Sequence, residues 1–138
     1  MTVRQPESAS TTVTVLVVDD QPPFRDAARA VLERLSGFAL IGEADSGEAA
    51  IEQVAALHPD LVLMDINMGG IDGIEATVAI TSANPLTKVV LLSTYDLSDL
   101  PPSARTSGAV AYVNKDDFGG RALRRLWEAG GDPSFARP

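Results

Sequence analysis

The sequence predicts a doubly wound α/β fold, in which helices cover both faces of one five-stranded parallel sheet. Short β-branched runs alternate with longer amphipathic stretches along the chain. The short runs are nearly all apolar, as expected of parallel strands that are buried on both faces. The strand candidates are Val13–Val18, Ala39–Ile41, Leu61–Met64, Val89–Leu92 and Val110–Val113.

The length and composition fit one domain with its own core. The chain has 138 residues, of which 45% are hydrophobic and none is cysteine, so no disulfide or thiolate metal site contributes to the fold. Residues 1–12 are polar and contain Pro6, which predicts a disordered leader. We expect the folded domain to span residues 13–130 and residues 131–138 to form a flexible tail.

The first two predicted helices have clear start and stop signals. Pro22 and Pro23 suit the first turn of a helix, and an apolar stripe at helical spacing continues until Gly37 ends the segment. The second helix opens with Ser46 as its N-cap and must end before Pro59. His58, the only histidine, is predicted to be an exposed turn residue at that helix end.

The later helices differ in the strength of their signals. The third opens at Asp72, and Glu75 completes a pattern typical of a capping box. The fifth follows Asp117, with an apolar stripe that runs until Gly130–Gly131. Pro101 and Pro102 interrupt the segment before it, so the fourth helix is expected to be short and late.

The usual arrangement of five such strands is the flavodoxin-like three-layer sandwich with strand order 2-1-3-4-5 and right-handed crossovers. Ligands bind such sheets beyond the carboxyl ends of the strands, where the strand order reverses. Here that point lies between the first and third strands.

Charge and hydropathy exclude several classes of function. The net charge of −8 and the isoelectric point near 4.4 would repel a phosphate backbone, so we expect no direct nucleic-acid binding. No apolar run approaches the roughly 20 residues that cross a bilayer, and Met1–Thr12 lacks the apolar stretch of a signal peptide. A cytoplasmic protein without a membrane segment is predicted.

Three carboxylates follow the two strands at the predicted crevice. Asp19 and Asp20 end the first strand and Asp65 ends the third. Their mutual repulsion would be destabilising unless a cation shared the site. Mg²⁺ fits, because it prefers hard oxygen ligands and is commonly held by one or two carboxylates and phosphate oxygens.

The next two strands add further polar groups to the same edge. Ser93 ends the fourth strand and Lys115 follows the fifth. A carboxylate nucleophile, a metal, a hydroxyl and an ammonium group together are the parts of a phosphoryl-transfer site.

These segments resemble the response-regulator receiver domains of two-component signalling. The likeness covers about residues 13–130 and rests on five functional positions in the right order at successive strand ends. The segments that carry it are Val17-Val18-Asp19-Asp20, Leu63-Met64-Asp65-Ile66-Asn67-Met68, Leu91-Leu92-Ser93-Thr94 and Gly108-Ala109-Val110-Ala111-Tyr112-Val113-Asn114-Lys115.

The resemblance implies a role for each matching residue around the metal. Asp65 would be the phosphoacceptor. Asp20 and Asp65 would ligate Mg²⁺ directly, Asp19 would act mainly through water, and the backbone carbonyl of Asn67 would be the remaining protein ligand. The phosphoryl donor would be a phosphohistidine on a sensor histidine kinase.

The resemblance also implies a switch rather than a conventional enzyme. Ser93 would bond the phosphoryl group, Lys115 would pair with it, and Tyr112 would swing inward. A downstream protein or a second copy would then bind the face formed by the fourth helix, the fifth strand and the fifth helix. Tyr112 fits equally well as a static core aromatic, and the arginines at 121, 124 and 125 are a solvated face or part of a partner surface.

Two positions depart from the family pattern. Gly69 stands where the family usually has proline after methionine, which loosens the loop after the phosphoacceptor. Asp116 follows Lys115, where many members have proline; this is common in the subgroup that carries a helix-turn-helix output domain.

The leading interpretation is therefore a stand-alone phosphorylation-activated receiver. The alternative is the receiver part of a DNA-binding transcription factor, with the helix-turn-helix domain outside this chain. An aspartyl-phosphate phosphatase is a third option, but those enzymes normally need a second acid two residues after the nucleophile, and position 67 is Asn.

Overall fold

Five parallel strands form one sheet in the order β2-β1-β3-β4-β5 in the computed structural model, which describes residues 12–135. The predicted strand order is therefore confirmed. The predicted leader, apart from residue 12, lies outside the described residues. The strands are β1 (Val13–Val18), β2 (Phe38–Ala44), β3 (Leu61–Asp65), β4 (Lys88–Ser93) and β5 (Ala111–Asn114).

Helices cover both faces of the sheet. They are α1 (Pro22–Arg34), α2 (Gly47–Leu57), α3 (Gly73–Ala83), α4 (Pro102–Arg105) and α5 (Gly120–Ala129), with 3₁₀ turns at Leu97–Asp99 and Lys115–Asp117. Apolar side chains of α1 and α5 pack on one face of the sheet, and those of α2, α3 and α4 pack on the other. Within residues 12–135, no helix has the length and apolar character needed to span a membrane.

The predicted helix caps are present. The Ser46 hydroxyl accepts a hydrogen bond from the backbone N–H of Ala49 at 3.1 Å. Asp72 and Glu75 form the reciprocal capping box that begins α3. His58 ends α2 in the left-handed conformation, with a φ of 50°, and is exposed, as predicted. These caps satisfy backbone groups at helix ends that would otherwise lack partners.

Two strands differ in length from their predicted bounds. β2 extends over seven residues rather than three, because it is an edge strand and needs to bury only some of its side chains. Gly42 and Glu43 therefore belong to the strand although the apolar run ends at Ile41. β5 begins one residue later than predicted, at Ala111, and ends at Asn114.

The segment after α5 also differs from the prediction of a flexible tail. The described part of that tail is packed against the domain, and Phe135 is only 1% exposed. The fourth helix is short, as predicted, with four residues. Ala104 of this helix and Phe135 belong to the same buried apolar cluster.

Candidate functional site

An acidic pocket lies at the carboxyl ends of β1 and β3. These two strands are neighbours, and Val18 is in register with Met64, so Asp19, which follows β1, and Asp65, which ends β3, lie side by side. One carboxylate oxygen from each of Asp19, Asp20 and Asp65 lies within 4.8 Å of the others. Asp19 is completely buried, Asp65 is 3% exposed and Asp20 is exposed. The three carboxylates predicted from the sequence thus converge.

Lys115 is the counter-charge of this pocket. It follows β5 and begins the 3₁₀ turn at Lys115–Asp117. Its Nζ atom lies 2.6 Å from Asp19 Oδ2 and 3.3 Å from Asp65 Oδ1, and 4.7 Å from the centre of the Phe24 ring. Burial lowers the pKa of Lys115, but the two carboxylates outweigh it and the net pKa is raised. The ammonium group therefore stays charged.

The carboxyl group of Asp65 is in an unfavourable place for a charge. Burial, followed by the negative charge of Asp19, raises the pKa of Asp65 from 3.8 to about 6. The Lys115 ammonium and the backbone N–H of Asn67 oppose this rise without cancelling it. A further cation beside Asp65 would favour the ionised carboxylate that a nucleophile requires.

The donor set fits a small hard cation. All three side chains offer carboxylate oxygens, which Mg²⁺ prefers. Asp19 Oδ2 is buried and, apart from its ionic contact with Lys115, has no hydrogen-bond partner among the described residues. Asp20 and Asn67 are both exposed at the mouth of the pocket, where a cation can be reached from solvent. The described acidic cluster can therefore bind Mg²⁺.

Ser93 and Tyr112 are joined to each other rather than to the acidic pocket. Ser93 ends β4 and is 1% exposed, and its hydroxyl lies 2.8 Å from the Tyr112 hydroxyl. The Ser93 hydroxyl also accepts the backbone N–H of Tyr95 at 3.1 Å. The Tyr112 hydroxyl donates to the backbone carbonyl of Tyr95. Tyr112 is thus partly buried, and its hydroxyl group is hydrogen-bonded to Ser93 and Tyr95.

Two residues that position Asp19 were not identified from the sequence. The backbone N–H of Gln21 donates to Asp19 Oδ1 at 2.9 Å, and Arg25 Nη1 donates to the Asp19 carbonyl at 2.6 Å. Arg25 Nε lies 3.4 Å from Glu43 on β2. The position of Arg25 at the end of the first turn of α1, just beyond β1, was the available signal. The Gln21 contact uses the backbone and leaves no trace in the sequence.

Gly73, the first residue of α3, lies directly against the phosphoacceptor candidate. A Cβ atom at this position would lie 2.1 Å from the carbonyl oxygen of Asp65. The backbone N–H of Gly73 donates to the carbonyl of Ile66 at 2.9 Å. In contrast, a Cβ at Gly69 would meet nothing within 4 Å. Only glycine allows the start of α3 to approach Asp65 this closely.

Sequence comparison relates the chain to one family. The family model described as the response regulator receiver domain matches residues 15–125. The response regulator GacA of Pseudomonas viridiflava is 37% identical over 103 residues, which are 75% of this chain and 48% of GacA. The response regulator UvrY of Escherichia coli is also 37% identical over 103 residues, covering 75% of this chain and 47% of UvrY. The chain spans about half the length of these curated relatives.

Solved structures have the same fold. The signal receiver domain of the response regulator NarL from Mycobacterium tuberculosis superimposes with a TM-score of 0.78 at 32% identity, covering 86% of this chain and 95% of that one. The response regulator domain of CheB from Thermotoga maritima gives a TM-score of 0.72 at 27% identity, covering 86% and 92%.

Proposed function

Since this chain belongs to the response regulator receiver domain family, we propose that it is a phosphorylation-activated switch that accepts a phosphoryl group on Asp65. The observation that carries the proposal is the convergence of Asp19, Asp20 and Asp65, two of which, Asp19 and Asp65, contact the Lys115 ammonium group. A carboxylate, a cation site and a fixed positive charge are what phosphoryl transfer to an aspartate requires.

The reaction has one bond-making and one bond-breaking step. An oxygen of ionised Asp65 attacks the phosphorus of a phosphohistidine on a sensor histidine kinase, the O–P bond forms and the P–N bond breaks. The imidazole, which carries a proton on its other ring nitrogen, leaves as a neutral group with the electron pair of the P–N bond. The contacts of Lys115 with both Asp65 and Asp19 support its pairing with the charge of the incoming phosphoryl group. Gln21 and Arg25 hold Asp19 in place through the hydrogen bonds described above.

Asp19, Asp20, Asp65 and the backbone carbonyl of Asn67 are the proposed ligands of Mg²⁺. When bound, the ion would neutralise part of the charge of the acidic pocket and of the transferred phosphoryl group. The raised pKa of Asp65 supports this assignment, because the buried carboxylate needs a further positive neighbour to ionise fully.

Ser93 and Tyr112 are the proposed switch residues. A phosphoryl group on Asp65 offers acceptor oxygens for the Ser93 hydroxyl, which in this structure lies against the Tyr112 hydroxyl. If the Ser93 hydroxyl exchanged Tyr112 for the phosphoryl group as its hydrogen-bond partner, the conformation of β5 and of the segment before it would change. A downstream protein, or a second copy of the chain, would recognise the change on the face formed by α4, β5 and α5. The chain is not proposed to bind nucleic acid itself.

The experiment is incubation with Mg²⁺ and acetyl phosphate, followed by intact mass measurement. The wild type should gain the mass of one phosphoryl group, whereas Asp65→Asn should gain none. Absence of an adduct on the wild type, or an adduct on the variant, would make the site assignment wrong. An NMR titration with Mg²⁺ tests the metal separately, since it should shift the signals of Asp20 and Asp65.

A second candidate is the receiver part of a DNA-binding transcription factor. The observation that favours it is the length of the curated relatives, of which this chain spans about half. The two candidates share the chemistry at Asp65 and differ in which protein or domain responds to the phosphorylation. The apparent mass of the native protein in its cells separates them, because a chain of about 14.5 kDa supports the stand-alone switch and a protein about twice as large supports the alternative.

A further inference from the structure

The chain between Ser93 and Tyr112 is built differently from the rest of the domain. The helix α4 in this segment has four residues, whereas the other four helices have 10 to 13. Pro101 and Pro102 stand at its start, where they prevent the α-helix from extending toward earlier residues. Ala104 is its only buried residue. So short a helix covers little of the apolar surface beneath it.

The end of the described chain occupies this region. Phe135 is 1% exposed and belongs to the apolar cluster that also contains Leu91, Ala104 and Ala109. It is the largest of the fully buried side chains in the domain. The small side chains at 104 and 109 leave room for an aromatic ring, so Phe135 takes the place that the side chains of a longer helix would fill.

Polar contacts, in addition to the apolar ones, hold residues 132–135 in place. Arg105 Nη1 donates to the carbonyls of Ser134 at 3.0 Å and Phe135 at 3.1 Å, and its guanidinium carbon lies 5.2 Å from the centre of the Phe135 ring. The backbone N–H of Asp132 donates to the carbonyl of Val110 at 2.8 Å, immediately before β5. The segment is therefore bonded both to α4 and to the start of the strand that carries Tyr112.

We propose that Asp132–Phe135 is an intramolecular latch, seated on α4 and the start of β5, which is released when Asp65 is phosphorylated. The proposal rests on the proposed function. It assigns to the segment after α5 the role of the element that moves when the switch operates.

The coupling follows from the contacts that the latch shares with the switch residues. Tyr112 and Leu100 pack against the same apolar cluster as Phe135, and Leu100 lies on the segment that leads from Tyr95 to α4. When the Ser93 hydroxyl bonds to a phosphoryl group, the contacts that join Ser93 to Tyr95 and Tyr112 must rearrange. A close-packed cluster adapts by changing between discrete arrangements rather than by stretching, so this rearrangement unseats Phe135.

Hydrogen exchange measured by mass spectrometry tests the latch directly. The wild type is compared with and without Mg²⁺ and acetyl phosphate, and Asp65→Asn is treated identically. The amides of Asp132 and Phe135, which donate to Val110 and Asp132, should exchange at least about tenfold faster in the phosphorylated wild type. They should not change in Asp65→Asn, and amides of β1 serve as an internal reference.

Intact mass of the same samples separates the two levels of the proposal. If no adduct forms, the proposed function is wrong and the release of the latch falls with it. If the adduct forms and the exchange of Asp132 and Phe135 stays unchanged, the latch is wrong while the function stands. Equally fast exchange of these amides in both forms, at the rate of an unfolded chain, would also overturn the latch.

Linkage provides a second test, because a phosphoryl group that favours release must bind more tightly when the latch is already weakened. Beryllium fluoride with Mg²⁺ serves as the noncovalent phosphoryl analogue. Its affinity should rise about fivefold or more in Phe135→Ala. Arg105→Met removes the two hydrogen bonds to the carbonyls of the latch but leaves the Phe135 ring, so it provides the answer if Phe135→Ala does not fold.

The control variant is Arg121→Met, at an exposed position of α5, which should leave the affinity for beryllium fluoride unchanged. A folded Arg105→Met variant with wild-type affinity would contradict the proposal.

Discussion

The acidic pocket and the latch region, which comprises α4 and Asp132–Phe135, are built by different means. The pocket is formed by residues at the ends of buried parallel strands, whose register places them together. The latch region consists of the single helical turn of α4 and the segment Asp132–Phe135, which is hydrogen-bonded to Arg105 of that turn. The residues of the pocket are therefore fixed by the sheet, whereas those of the latch region depend on contacts between segments that are distant in sequence.

The proposed phosphoryl transfer and the proposed response to it therefore belong to two differently built regions, the acidic pocket and the latch region. The groups proposed to carry phosphoryl transfer do not depend on α4 for their positions, because each lies at or just beyond the carboxyl end of a strand. The surface proposed to report phosphorylation depends on a few side chains with little regular structure behind them. Such regions open more easily than strands do. We therefore expect substitutions in the latch region to change stability and phosphoryl affinity without abolishing the chemistry at Asp65.

The largest effect on stability is expected for Phe135→Ala. Removal of a buried aromatic side chain typically costs about 3–5 kcal/mol of the free energy of unfolding, which urea unfolding would measure. The adduct on Asp65 should still form under conditions in which the variant is folded. Leu86→Ala is the control, because Leu86 is 93% exposed and its removal should cost less than about 0.5 kcal/mol. Loss of the adduct in folded Phe135→Ala would mean that the chemistry at Asp65 requires the latch region.

Gly73→Ala should have the opposite pattern, with its main effect on chemistry. The new Cβ would overlap the carbonyl oxygen of Asp65, and the shift that relieves this overlap should cost about 1–3 kcal/mol of stability. It should also slow phosphorylation by acetyl phosphate at least about tenfold, since a small misplacement of a reacting group has a large effect on rate.

Gly69→Ala is the matched control for that prediction. It lies in the same loop between β3 and α3, yet its Cβ would meet nothing within 4 Å. Its rate and stability should stay close to those of the wild type. Equal rates for Gly73→Ala and the wild type would show that the start of α3 does not position Asp65.

Asp65→Asn should stabilise the metal-free protein at neutral and higher pH. The pKa of Asp65 is raised from 3.8 to about 6 in the folded state, so between these values the folded state binds more protons than the unfolded state. The contribution of Asp65 to stability therefore falls as the pH rises through this window. The asparagine variant lacks this loss and should be more stable above pH 7 by about 1–3 kcal/mol.

Urea unfolding in the presence of a chelator, from about pH 4 to pH 8, measures this difference. The gain should shrink toward the acidic end of the range. Asp20→Asn keeps the buried pair of Asp19 and Asp65 and should retain the pH dependence of the wild type. A gain for Asp65→Asn that is the same at every pH would contradict the explanation by charge burial.

The smallest effect is expected for Tyr112→Phe, which joins the two regions. The substitution removes the hydroxyl that contacts Ser93 and the carbonyl of Tyr95 but keeps the ring. The net loss of stability should be about 1 kcal/mol, measured by thermal unfolding. Tyr95→Phe is the control, because the Tyr95 side chain is exposed while its carbonyl is retained, and it should cost less than about 0.5 kcal/mol. A loss for Tyr112→Phe no larger than that of the control would mean that these bonds contribute nothing.

Most of the fold could be predicted from the sequence because buried parallel strands leave a clear signal. Uninterrupted apolar runs located β1, β3 and β4, and Ser46 and Asp72 located the starts of α2 and α3. β2 was underestimated because an edge strand also contains glycine and charged residues. The convergence of Asp19, Asp20 and Asp65 followed from the strand order, which is confirmed.

The parts that could not be predicted depend on long-range packing. Phe135 lies in a short polar stretch near the end of the sequence, where no periodicity indicates burial. Its place in the core follows from the small size of α4 and from Arg105, which lies 30 positions earlier. Likewise, the hydrogen bond between Tyr112 and Ser93 is a detail of side-chain packing that residue types alone do not specify.

The burial of Phe135 also affects how the domain is made. One of its two apolar clusters contains side chains from β1 onward and is completed by Phe135. Chains emerge from the ribosome amino end first and begin to fold as they do. This cluster cannot close until residue 135 has left the exit tunnel, so the acidic pocket can assemble on the nascent chain before the last piece of its core is in place.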